Sequence, residues 1–146
     1  ACNKIGEFYR LEIGTQKDLK KAFHYYNKAL DVPLSLINYY AKYNLAKYFY
    51  LNGNYEANIE KNKELAIIYL NDASNNNILE ASIELLYYYT NNYLQETNEN
   101  TLTIINNLIK KIENHNKYNN NHKLNIEKTI KKIKTKKNNN LNVTLI

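Results

Sequence analysis

The sequence has no Trp and no Met, a single Cys, a single Pro and three Gly. Each shortage excludes something. One cysteine, Cys2, cannot form an internal disulfide or a Cys-based zinc site. So few Gly and Pro residues cannot supply the turns of a β-sandwich or a phosphate-cradling loop. Gly6 and Gly14 form no nucleotide-binding fingerprint, because no strand precedes them. No run approaches ~18 consecutive apolar residues, so no segment reads as a membrane-spanning helix. No basic start followed by an apolar core reads as a signal peptide. The chain opens on Ala1-Cys2-Asn3, so a piece of a longer protein or a processed product is the expectation.

Leu, Ile and Tyr are present instead, with 15 Tyr among the 146 residues, enough for a core built from helices joined by Asn-rich loops. Charge is unevenly spread. Residues 1–100 hold 10 Lys plus Arg against 12 Asp plus Glu, a balance of −2; residues 101–146 hold 10 Lys against 2 Glu, a balance of +8. The net +6 therefore belongs to the C-terminal third, unlike a uniformly basic nucleic-acid-binding domain.

Helical periodicity runs through the first hundred residues. Leu19, Ala22, Phe23, Tyr26, Ala29 and Leu30 share one helix face, and so do Leu65, Ala66, Tyr69, Leu70 and Ala73. The pattern predicts helices over 1–12, 18–31, 35–52, 61–75, 77–93 and 101–115, with a weaker one over 123–136. Gly14, Pro33, Gly53 and the Asn75–Asn77 run punctuate them, and Asp18 is placed to cap the second.

The chain also resembles itself. Ala1, Ala41 and Ala81 recur every 40 residues, each followed four residues later by Ile5, Leu45 or Leu85. Ala22 and Ala66, and again Ala29 and Ala73, are 44 apart. A repeated helix–loop–helix of this length marks a helical solenoid, in which each pair buries its apolar face only against a neighbour. Small residues at the seam let backbones approach, and Tyr and Phe fill the gaps between repeats. The expected fold is all-α: a short α–α superhelix of antiparallel helix pairs with a C-terminal capping helix and a basic tail.

The first unit reads Ala1, Ile5-Gly6, Tyr9, Gly14, Asp18, Lys21-Ala22, Tyr25-Tyr26, Lys28-Ala29. That order resembles the Sel-1-like repeat, a relative of the tetratricopeptide repeat, with Glu12 and Thr15 departing from the usual loop residues. The second unit reads Ala41, Leu45-Ala46, Phe49, Gly53, Ala66, Tyr69-Leu70, Ala73. There Ala46 replaces the glycine, and about four extra residues lengthen the loop around 53–60. A third unit starts at Ala81, Leu85 and Tyr89 without a recognisable second helix. The resulting division is 1–95 for repeats, 96–115 for an amphipathic capping helix, and 116–146 for an Asn/Lys-rich low-complexity tail with a further helix at 123–136.

The resemblance implies a non-enzymatic adaptor or scaffold that binds other proteins, with a peptide or helix docked in a concave groove lined by the first helix of each pair. Tyr43-Asn44-Leu45 and Asn62–Ala73 also look like the branch that recruits substrates to the ubiquitin ligase of endoplasmic-reticulum-associated degradation. That branch would place the chain in the endoplasmic reticulum, in the lumen or membrane-associated; other members would place it in the cytoplasm.

Candidate partner-binding residues are Tyr9, Tyr39, Tyr43, Tyr48, Tyr50 and Tyr88, because the tyrosines exceed what one narrow core stripe holds. Tyr brings large apolar area and a hydrogen-bonding tip at low entropic cost. The alternative is that these rings simply pack between repeats. In the tail, Lys128, Lys131, Lys132, Lys134, Lys136 and Lys137 are candidate contacts to an acidic partner. A solvated basic tail is the commoner meaning of such a run. The other is a structural subunit of a large assembly whose tail contacts RNA or an acidic membrane. No aromatic interleaves the lysines to stack single-stranded bases.

No nucleophile–base pair is visible, so no catalytic residue is assigned. No cofactor or metal is expected either: His24 lies among aromatics on a helix, and His115 and His122 have no acidic neighbour.

Overall fold

In a computed structural model, residues 1–144 are described; Leu145 and Ile146, the end of the expected tail, lie outside the described residues, and for 141–144 only the backbone is described. The fold is all-α, with helices packed in neighbouring pairs as in an α-solenoid and no strand among the described residues. Helices α1 (Cys2–Leu11), α2 (Leu19–Ala29), α3 (Leu36–Leu45) and α4 (Lys63–Asn75) make the first of two compact units, residues 1–81. Helices α6 (Glu99–Glu113) and α7 (Asn120–Thr144) belong to the second, 82–146, as does most of α5 (Leu79–Gln95).

Short polar side chains start four of these helices. Asp18 accepts the Lys21 amide at 2.9 Å, as its position predicts, and Ser35, Asn62 and Asn98 cap α3, α4 and α6 in the same way. The helix expected over 35–52 is α3 continued by a π turn, Ala46–Tyr50, closed by the Leu51 amide on the Ala46 carbonyl at 2.9 Å.

In the first unit, α1 pairs with α2, and α3 with α4. Ala22, Tyr26, Leu45 and Phe49 have no exposed surface and form the core between the pairs, each large side chain contributing about 2 kcal/mol by leaving water. Phe49 meets Phe23 and Tyr26 edge to face at centroid distances of 5.2 and 6.1 Å. The seam alanines Ala22, Ala29, Ala41, Ala66 and Ala73 are all buried. Gly6 lies under the ring of Tyr26, where a Cβ would stand 2.7 Å from Cε1, so α1 and α2 approach as closely as they do only because that atom is missing. The lengthened loop between α3 and α4 folds on itself through a bridge between Asn54 and Ile59 and seats Ala57 in the core.

In the second unit, Leu102, Ile105, Leu108, Ile109 and Ile112 form the buried stripe of α6. Residues 120–144 form one long helix rather than a solvated coil around a shorter helical stretch. Ile126, Thr129 and Ile133 recur at 3- and 4-residue spacing on its buried side, which supplies the apolar stripe that the lysines obscure.

Candidate functional site

On the first unit, Tyr39, Lys42, Tyr43 and Lys47 stand at i, i+3, i+4 and i+8 and share one side of α3 and the π turn. Flanking elements complete a surface in which cations sit over tyrosine rings. The Arg10 guanidinium of α1 lies 3.8 Å from the Tyr48 ring centre, and Lys47 lies 5.4 Å from the same ring on the edge of cation–π range. Lys47 also donates to the Tyr43 hydroxyl at 3.2 Å. Lys42 lies 5.9 Å from both Tyr39 and Tyr69, and its ammonium pairs with Asp72 of α4.

The rings are held from more than one side. Arg10 Nε donates to the Tyr26 hydroxyl at 3.1 Å, so one guanidinium ties the buried Tyr26 to the half-buried Tyr48. Burial raises the Tyr26 phenol above its usual pKa, and the Arg10 hydrogen bond partly opposes that rise. Tyr50 is raised as well, first by burial and then by Tyr69. Both hydroxyls therefore stay neutral at ordinary pH.

The structure separates the six candidate tyrosines. Tyr9 is half-buried and stacks on Tyr25 at 5.7 Å, with Lys21 5.2 Å from its ring. Tyr39 and Tyr48 are half-buried and belong to the cation-lined surface. Tyr43 joins that surface through its hydroxyl but is only 9% exposed. Tyr50 packs edge to face on Phe23 and Tyr69 beside the core. Tyr88 lies in the second unit, half-buried and 5.1 Å from Tyr89. Sequence reasoning did not assign Arg10, Lys42, Lys47 or Tyr69 to a binding surface, and Tyr69 entered it only as a repeat residue. The Tyr43–Lys47 spacing of four was the signal available; the other pairings cross between elements.

The Sel1 repeat family pattern matches residues 1–31 and 40–77, one α1/α2 pair and one α3/α4 pair. The first unit is built of Sel-1-like repeats. No curated protein and no solved structure matches it. Sel-1-like repeats are non-catalytic modules of protein interaction, and both matched repeats lie in the first unit. Their family glycine at Gly6 is what admits the Tyr26 ring, and Tyr26 in turn carries Arg10 to Tyr48. The repeat motif thus helps to fix one ring of the tyrosine surface, Tyr48.

In the second unit, Lys128, Lys131, Lys132 and Lys136 of the candidate lysines line a common groove, and the exposed Lys134 and Lys137 do not line it. His24 is exposed beside Tyr25, and His115 and His122 accept the amides of Lys117 and Asn119 at 3.0 and 3.2 Å. Among the described residues no group of three or more His, Cys, Asp or Glu side chains gathers, and Cys2 is half-buried and unpaired by any disulfide.

Proposed function

We propose that the chain is an adaptor whose first unit grips a peptide or helix of a partner protein on the tyrosine surface of α3 and its flanks. The observation that supports this best is the set of cations lying over half-buried rings at Tyr39 and Tyr48. A ring fixed from one side loses little freedom when a partner covers the other, so its apolar area converts efficiently into affinity. Tyr9 extends the surface along α1, Tyr43 contributes its hydroxyl edge, and Tyr50 stiffens the bed beneath it. Tyr88, on α5 in the second unit, is proposed as a separate contact residue, in a third repeat that begins at Ala81.

Photocrosslinking tests it. A benzophenone amino acid replaces Tyr39, Tyr48 or, as a control, the fully exposed Tyr55 in the full chain expressed in its source cells. Positions 39 and 48 should trap the same partner, and position 55 should trap none of it. Equal trapping at 55, or none at 39 and 48, overturns the reading. Within it, recruitment to the ubiquitin ligase of endoplasmic-reticulum-associated degradation is the finer expectation, supported by the likeness of Tyr43-Asn44-Leu45 and Asn62–Ala73. Reciprocal capture with the ligase as the trapped partner decides that step.

A further inference from the structure

The second unit carries a surface that the repeats do not use. Along α7, Lys128, Lys131, Lys132 and Lys136 fall at i, i+3, i+4 and i+8, so one face of the helix carries all four. With Thr135 and Leu94 of α5 they line a groove of about 490 Å³. Ile126, Thr129 and Ile133 are buried on another side of α7, which fixes the helix and holds the lysine face outward. Each lysine lays a hydrocarbon stem along the groove and carries its ammonium at the rim. The groove therefore has an apolar bed, with half-buried Leu94 in it, and a cationic edge.

Among the described residues no carboxylate pairs with these four lysines. The pairs 128–131, 128–132 and 132–136 instead set like charges three and four residues apart, which repel. An anionic ligand relieves that repulsion and gains attraction at each ammonium.

We propose that this groove docks an acidic amphipathic segment of a partner protein, its carboxylates along the lysine rim and an apolar side chain over Leu94. Charge complementarity selects the acid, and the hydrocarbon bed selects an amphipathic segment over a plain polyanion. No aromatic ring lines the groove, so RNA finds no base-stacking platform there. A bilayer calls for apolar side chains that project past the cations, whereas Leu94 is recessed among them. This surface is independent of the tyrosine reading and stands or falls separately.

The test measures binding of the full chain to three labelled probes: a synthetic helical peptide with Glu and Leu on one face, an oligouridylate, and phosphatidylcholine vesicles containing phosphatidylserine. The peptide should bind most tightly. Lys131→Glu with Lys132→Glu should weaken it at least ~10-fold, whereas Lys134→Glu with Lys137→Glu, an identical change in net charge outside the groove, should stay within ~3-fold. Leu94→Asn should weaken the peptide ~10-fold and leave the oligouridylate unmoved. Circular dichroism checks that the helices survive, and Lys131→Gln with Lys132→Gln repeats the comparison if charge reversal disturbs them. Equal losses from both lysine pairs, or tighter binding of oligouridylate or vesicles than of peptide, overturn the proposal.

Discussion

Repeat one sets Gly6 under the ring of Tyr26; repeat two places Ala46 and Leu70 at the corresponding positions, 40 and 44 residues on, and both are fully buried. The smaller residue on the first helix goes with the larger one on the second, and the methyl gained at 46 goes with the flat ring given up at 70. What recurs is the combined volume at the seam, and glycine is one way of meeting it. The exchange has a second consequence. Only repeat one keeps a hydroxyl at this point, and through it Arg10 reaches Tyr48. Repeat two spends the equivalent position on packing alone.

The largest effect should come from breaking that match. Gly6→Ala puts a methyl 2.7–2.8 Å from a ring with no exposed surface, and should cost about 3 kcal/mol in urea denaturation. Adding Tyr26→Leu imports the second repeat's solution and should recover at least about 1.5 kcal/mol of the sum of the single losses. A double variant no better than that sum would show that volume is not what links the two positions. Tyr26 also contributes to alkaline stability. Burial raises the Tyr26 pKa above the usual tyrosine value of about 10, so its contribution is fully present below about pH 10 and is lost as pH rises through the folded-state value. The wild-type denaturation midpoint should fall above about pH 10, and the double variant should fall less steeply over that range.

The two loops offer the next contrast. Gly14 and Gly53 both have positive φ, 68° and 73°. A Cβ at 14 would meet nothing within 4 Å, whereas one at 53 would stand 2.9 Å from the Lys61 amide nitrogen, in backbone that the longer loop has folded back. Gly53→Ala should cost about 2 kcal/mol and Gly14→Ala about 1 kcal/mol, the second being the conformational term alone. Equal costs would mean that the second loop yields to the methyl.

These contrasts mark where sequence was legible. Helix spacing and the alanine seams were, because burial of one helix face imposes a period on residue type. So was the Asp18 cap. The π turn at 46–50 was not, since one extra residue in a helical turn leaves no compositional trace. The Asn62 and Asn98 caps were not: position 62 fell inside the helix expected over 61–75 and position 98 in a loop, because capping depends on where the helix begins. In the tail a helix was legible only over 123–136, where Ile126, Ile130 and Ile133 keep a helical spacing; the rest of 120–144 was hidden because Lys and Asn dominate its ends. The tyrosines were found by their number. Their cations were not, because Arg10 and Tyr48 are 38 residues apart and meet only when α1 lies against the π turn.

The smallest expected effect concerns a pair that only repeat two has. Lys42 and Asp72 join α3 to α4, and the corresponding positions of repeat one hold Cys2 and Lys28, which form no such bridge. Both ions are partly exposed, so water screens them, and Asp72→Asn should cost only about 0.5 kcal/mol. That loss should shrink further at high salt. The stronger consequence should be local. Lys42 lies at the edge of cation–π distance from Tyr39 and Tyr69, and freeing it from Asp72 loosens the cation that steadies both rings. Crosslinking through position 48, which relies on Arg10 and Lys47, should survive Asp72→Asn, while crosslinking through position 39 should weaken. A stability loss above about 2 kcal/mol would instead make the pair a strut between the helices, worth more than a screened surface bridge can supply. Repeat two would then differ from repeat one in what holds it together, and not only in what it presents.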